Sequence, residues 1–219
     1  MLSRHFTDIA ALRLAMVGLV LAVAGCASTG SAPGGADGSR DGQPAAAGAR
    51  QGEVPPEALT MYEQAVAAMA SGDFLDAELR FKEFLLQYPG YPGAHVNLAI
   101  IHVNNDNDED AVAAVDAALA IDPDYAPALN QLGMLHRRNG NFPEAEAAYM
   151  KAVTVSPDYA LAHYNLGVLN ELYLHRLDSA LQHFERYQEI VGGDEQVEKW
   201  ITDLQRRVAA SQRTANISE

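Results

Sequence analysis

Apolar positions follow a different rule in each stretch of this chain. Residues 14–24 form an unbroken apolar run behind a segment carrying Arg4, His5 and Arg13, the order of a secretory signal. The run is shorter than the roughly 20 apolar residues a bilayer-spanning helix needs, so cleavage is expected, not a permanent membrane helix. After residue 26 the sequence turns to Ala, Gly, Ser, Pro, Asp and Gln, with almost no large apolar side chain. Such a stretch buries too little surface to offset its chain entropy, which predicts a disordered linker over residues 26–55. As a flexible coil it reaches about 30 Å. From residue 56 onward, apolar residues recur at helical spacing, interrupted at Ser71-Gly72-Asp73, at residues 104–110 and at Asn139-Gly140-Asn141. An all-α domain of helices joined by short polar turns is predicted.

The helical part repeats itself. Pro89, Pro123 and Pro157 stand at a constant interval of 34 residues. Twelve residues before each proline is an alanine (Ala77, Ala111, Ala145), and eight before it a larger apolar residue (Phe81, Val115, Tyr149). Twenty-four before it is a small residue, Ala65, Ala99 or Gly133, preceded in the second and third copies by Leu98 and Leu132. A fourth copy reads Leu166-Gly167, Ala180, Phe184; there Ala180 falls one residue late, which places an extra residue in the turn around 174–177, and Gly192-Gly193 replaces the proline.

This pattern resembles the tetratricopeptide repeat (TPR), with a small residue where two helices cross, an alanine inside the second helix and a closing proline. The resemblance implies a solenoid of helical hairpins over residues 56–193, with repeats at about 57–91, 92–125, 126–159 and 160–193. A stack of hairpins needs a cover at its end. Residues 194–211 supply a candidate: Val197, Trp200, Ile201, Leu204 and Val208 form a stripe at helical spacing, Glu198, Lys199, Arg206 and Arg207 face the other way, and Asp194 is placed to cap the helix. Residues 212–219 are expected to fray.

The apolar run ends in Val23-Ala24-Gly25-Cys26, which resembles the bacterial lipobox. The resemblance implies that residues 1–25 are a lipoprotein signal peptide and that Cys26 becomes an acylated N-terminus, anchored lastingly by several acyl chains. Ala27 and Ser28 follow the cysteine where an Asp would favour the inner membrane, so the periplasmic face of the outer membrane is the expected location. A single cysteine also excludes an internal disulfide framework and a Cys-rich zinc site.

Charge removes further classes. A net charge of -14 and a pI near 4.8, with no Lys/Arg cluster, argue against nucleic acid as a ligand. The acidic run at residues 106–110 fails as a calcium loop, because the sixth position is Ala111 and the twelfth Ala117. It reads as a solvated turn whose acids favour the next helix N-terminus. His102 and His136, and likewise His95 and His163, occupy equivalent places in different repeats, too far apart to share an ion at about 2 Å. They read as packing residues, and no metal or cofactor is expected. No phosphate loop, nucleophile elbow or His-Glu-x-x-His is present, so the chain reads as a non-enzyme.

Candidate binding residues come from the repeat offset. Asn97, Gln131 and Asn165 are carboxamides at one equivalent place. By resemblance to peptide-binding TPR proteins, that place is on the concave surface, where an amide that both donates and accepts suits a peptide backbone; the alternative is simple repeat consensus. The same resemblance puts Tyr62, Val66 and Met69, Val96, Ile100 and Val103, Met134, Arg137 and Arg138, and Tyr164, Val168 and Glu171 on that face. Tyr62, Val66 and Pro127 stand where a carboxylate clamp has Lys, Asn and Lys, against that device. Arg137 and Arg138 meet an acidic ligand, or one pairs with Glu171. The expected partners are other envelope proteins, through an extended peptide. The expected function is a membrane-anchored periplasmic scaffold, pilotin-like, in assembly of a pilus, secretion or energy-transducing machine; the alternative is an activator of a cell-wall or polysaccharide-synthesising enzyme.

Overall fold

The computed structural model describes residues 54–217, with side chains described through residue 213. The expected signal peptide, Cys26 and most of the expected linker lie outside the described residues. Among the described residues all regular structure is helical: α1 Pro56–Ala70, α2 Phe74–Gln87, α3 Pro92–Asn104, α4 Asp108–Ile121, α5 Ala126–Arg138, α6 Phe142–Val155, α7 Ala160–Leu172, α8 Leu177–Val191 and α9 Glu195–Ile217. The chain divides into two compact units, Met1–Arg80 and Phe81–Glu219.

In the first unit α1 opens on a proline in its first turn, where a missing N–H costs nothing, with Glu57 beside it favouring the positive helix end. It closes at Ser71, after which Gly72 takes φ 82. Asp73 Oδ1 accepts the Asp76 N–H at 3.1 Å, capping α2. Arg80 donates to Gln64 Oε1 at 3.2 Å and pairs with Asp76, tying the two helices.

The second unit stacks the hairpins α3/α4, α5/α6 and α7/α8. Helices α3, α5 and α7 pack in turn against one another, while α4 and α6 each pack on the hairpin that follows. The alanines of the sequence pattern explain how closely they approach: Ala111, Ala145 and Ala180 are fully buried. The small residue of the first helix has a specific reason. A Cβ added at Gly133 would stand 2.5–2.9 Å from three ring atoms of Tyr149, and one at Gly167 2.7–2.8 Å from three of Phe184. The ring of the second helix packs against the bare backbone of the first. In the repeat with Ala99 the equivalent second-helix residue is Val115, and both are buried.

Turn chemistry ends each helix where the polar gaps fall. Asp108, Glu109 and Asp110 sit in the first turn of α4, and the Asn107 side chain accepts the Asp110 N–H, so the acidic run is a helix start. Gly140 turns the chain at φ 77, a conformation a side chain disfavours. Between α7 and α8 the connection is Tyr173-Leu174-His175-Arg176, one residue longer than the preceding turns, with His175 at φ 55. The inserted residue of the fourth copy is therefore in that turn.

Asp194 Oδ1 accepts N–H groups from Gln196 at 2.9 Å and Val197 at 3.1 Å and so caps α9. Val197, Leu204 and Val208 are buried against the stack, whereas Trp200 and Ile201 remain partly exposed. The helix continues to Ile217, past residue 211 where the sequence reading ended it. No Gly or Pro follows Asp194, so nothing local stops it.

Candidate peptide-binding face

The face in question is formed by α3, α5 and α7, and the repeat offset sets its rows. Residues three apart on one helix lie on the same side, so Ile100, Met134 and Val168 run beside Val103, Arg137 and Glu171. All six are half-buried. In the first unit, Tyr62 and Val66 on α1 are likewise partly exposed.

The carboxamide series lies deeper than its expected place on an open surface. Asn97 is half-buried, but Gln131 and Asn165 are only 9% and 5% exposed. Asn165 Nδ2 donates to Oδ1 of Asn130 at 2.9 Å, and Asn130 itself is 2% exposed. The reason is the tight packing of successive first helices, which closes over the row. Asn130, which the sequence reading passed over, was findable: it is the third member of the row that runs Tyr62, Val96, Asn130, Tyr164.

Several charged and aromatic candidates are occupied within the fold. Arg138 pairs with Asp106 at 2.7 Å and Asp108 at 3.1 Å, in the turn of the preceding repeat. Those two carboxylates raise its pKa. Glu171 pairs with Arg207 of α9, and neither Arg137 nor Arg138 is its partner. Tyr164 is 9% exposed, its ring 5.9 Å from Phe184, 5.4 Å from Tyr187 and 6.0 Å from Trp200. The terminal helix thus takes over the fourth repeat's share of the face, a consequence of the solenoid geometry that local sequence does not display.

Arg137 differs from its neighbours. Among the described residues no carboxylate forms an ion pair with it. It lies beside the buried Tyr149 hydroxyl, whose pKa burial pushes up to about 12 while the Arg137 charge pulls it down. What remains partly exposed is a strip of Ile100, Val103, Met134 and Val168 beside Arg137, with Ile100 and Met134 also packed against the core beneath. Apolar side chains flanking an Arg are the kind of mixture found at protein-recognition surfaces.

Helix α2 carries exposed leucines. Leu75 and Leu79 of the first unit are 71% and 60% exposed, and Leu86 of the second is 85% exposed. Later repeats place Glu109, Pro143 and Asp178, then Ala113, Ala147 and Gln182, at the positions matching the first two.

Stacked helical hairpins with a half-buried strip on their first helices define a helical-repeat protein-binding scaffold. Two family models described as tetratricopeptide repeat match, over residues 68–135 and 124–191, and this stretch of the chain is therefore a run of tetratricopeptide repeats. Among solved structures the chain is similar to pilF of Pseudomonas aeruginosa, at 21% identity, TM-score 0.62, over 70% of this chain and 69% of that one. It is similar to a thermophilic TPR protein of Thermus thermophilus, at 22% identity, TM-score 0.60, over 68% and 82% of the two chains. MamA is a further neighbour, at 25% identity, TM-score 0.51, over 63% and 80%. No curated protein is similar to the chain in sequence. The likeness to pilF and to the Thermus protein shows the fold.

Proposed function

We propose that the protein is a lipid-anchored scaffold at the periplasmic face of the outer membrane, which helps assemble an envelope machine by holding an extended segment of a partner protein. The observation that carries the binding reading is the strip of Ile100, Val103, Met134 and Val168 around Arg137, half-buried and unclaimed by any carboxylate of the described residues. Support for the anchor comes from Val23-Ala24-Gly25-Cys26 at the end of the apolar run. Among the described residues no helix is long and apolar enough to cross a membrane.

Crosslinking in cells, followed by mass spectrometry, tests both halves. Wild-type protein should capture subunits of a pilus, secretion or energy-transducing complex, and Met134→Glu or Arg137→Glu should lose them while the domain stays folded. Capture undiminished in both variants would move recognition to another surface, the exposed leucines of α2 first. Capture of a cell-wall or polysaccharide synthase instead would favour the activator reading. Cys26→Ala should abolish palmitate incorporation; label retained in that variant would end the lipid-anchor reading.

A further inference from the structure

Two histidines that no repeat offset pairs meet inside the fourth hairpin. His163 on α7 and His183 on α8 are both half-buried, with ring centroids 5.4 Å apart and Nδ1 atoms 3.2 Å apart. Nε2 of His163 lies 3.1 Å from the carbonyl oxygen of Pro157. A carbonyl only accepts, so Nε2 of His163 carries the proton and its Nδ1 keeps a lone pair aimed at His183. With both rings neutral, His183 Nδ1–H donates to that lone pair. Burial lowers the pKa of both rings, that of His183 to about 4, with the neighbouring His163 adding to it. Burial thus favours the neutral form of both rings. The charges that act on His163, Asp158 and Arg186, are engaged with each other at 2.5 Å.

This is the arrangement of a ligand pair as much as of a hydrogen bond. Two imidazole nitrogens bound at 2.0–2.1 Å to one tetrahedral ion stand about 3.3 Å apart, close to the separation already present. A ligating histidine ordinarily donates its other N–H to a carbonyl or carboxylate, which orients the ring and raises its basicity; Pro157 does this for His163. The backbone on both sides is held by buried neighbours, Ala162 and Tyr164 on α7 and Phe184 on α8.

We propose that His163 and His183 form a two-imidazole site for a borderline divalent transition-metal ion, Cu²⁺, Zn²⁺ or Ni²⁺, bound through both Nδ1 atoms. On binding, the proton on His183 Nδ1 transfers through solvent to its Nε2, so each ring stays neutral and no net proton is released. Among the described residues no group of three or more His, Cys, Asp or Glu side chains is placed to hold a metal. Water completes the coordination, and the site is an open one. Imidazole donors and the ordinary ranking of divalent ions put Cu²⁺ tightest. The sequence argument against metal compared histidines in equivalent places of different repeats. This pair joins the two helices of one repeat, a comparison that offset does not make.

The test is titration of the purified full chain with Cu²⁺ and with Zn²⁺, alongside His163→Gln and His183→Gln. One equivalent should bind in a tightest phase, the melting temperature should rise with it, and each variant should weaken that phase at least tenfold. Bound Cu²⁺ in the wild type should show coupling to two nitrogens in its electron paramagnetic resonance spectrum, and to one in either variant. Equal affinity in wild type and folded variants would mean that the other histidines or Cys26 hold the metal, and would overturn the site. Should a variant fail to fold, the wild-type spectrum decides alone: coupling to fewer than two nitrogens refutes the assignment.

Discussion

Replacing Gly133 by alanine isolates the contact on which each hairpin closes. Within a helix, Gly→Ala ordinarily stabilises by roughly 1 kcal/mol, because glycine loses more chain entropy on folding. Here the new methyl would stand 2.5 Å from one Tyr149 ring carbon, 2.6 Å from a second and 2.9 Å from a third. Ordinary carbon–carbon contact is about 3.5–4.0 Å, so ring and helix must separate by about 1 Å. Tyr149 is completely buried, leaving its ring no open side to move into. Overpacking of this kind costs typically about 1–3 kcal/mol as observed in whole-residue replacements. The strain should exceed the propensity gain, so Gly133→Ala is expected to destabilise by up to about 2 kcal/mol, a fall of up to roughly 8 °C in Tm for a domain of this size. The assay is urea unfolding followed by circular dichroism, run on a double-mutant cycle with Tyr149→Val. That second change installs the residue type found with Ala99 in the preceding repeat. In the Tyr149→Val background Gly133→Ala should become neutral or stabilising, a coupling of about 2 kcal/mol. A rise in stability from Gly133→Ala alone would show that the ring yields easily and that the glycine is not required by packing.

Asn165→Ala removes the donor to the buried Asn130 carbonyl oxygen and should cost about 1–3 kcal/mol in urea unfolding, with Asn130→Ala adding little beyond it; an unchanged midpoint would return Asn165 to the role of a ligand contact. Trp200→Ala should cost about 2 kcal/mol, less than the 3–5 kcal/mol of a fully buried aromatic, because the ring touches Tyr164 and Phe184 yet stays partly exposed; no change in Tm would mean that α9 does not cover the fourth repeat. Arg138→Met should shift stability by less than about 1 kcal/mol, and by less still at high salt, since Arg138 and Asp106 are exposed and Asp108 is only half-buried; a larger, salt-independent loss in thermal melts would refute the view that this pair is marginal.

The sequence by itself determined the repeating unit. Periodic apolar spacing, the alanines at 77, 111 and 145, the 34-residue proline interval and the displaced Ala180 each have a local cause, so helix existence, turn position and the inserted residue before α8 were all legible. The expectation of an address and an anchor at residues 1–26 rests on short-range chemistry alone, the apolar run and the residues before Cys26. Tertiary structure decided how deep each side chain lies. The repeat offset shows that Asn97, Gln131 and Asn165 are equivalent, but depth depends on how closely α3, α5 and α7 approach one another, which no local spacing displays. Partners across helices were equally hidden: Arg138 reaches back to the turn before α4, Glu171 forward to α9, and His163 across its own hairpin to His183. Periodicity compares residues one repeat apart, whereas these contacts join different positions of the repeat, and only packing brings those together.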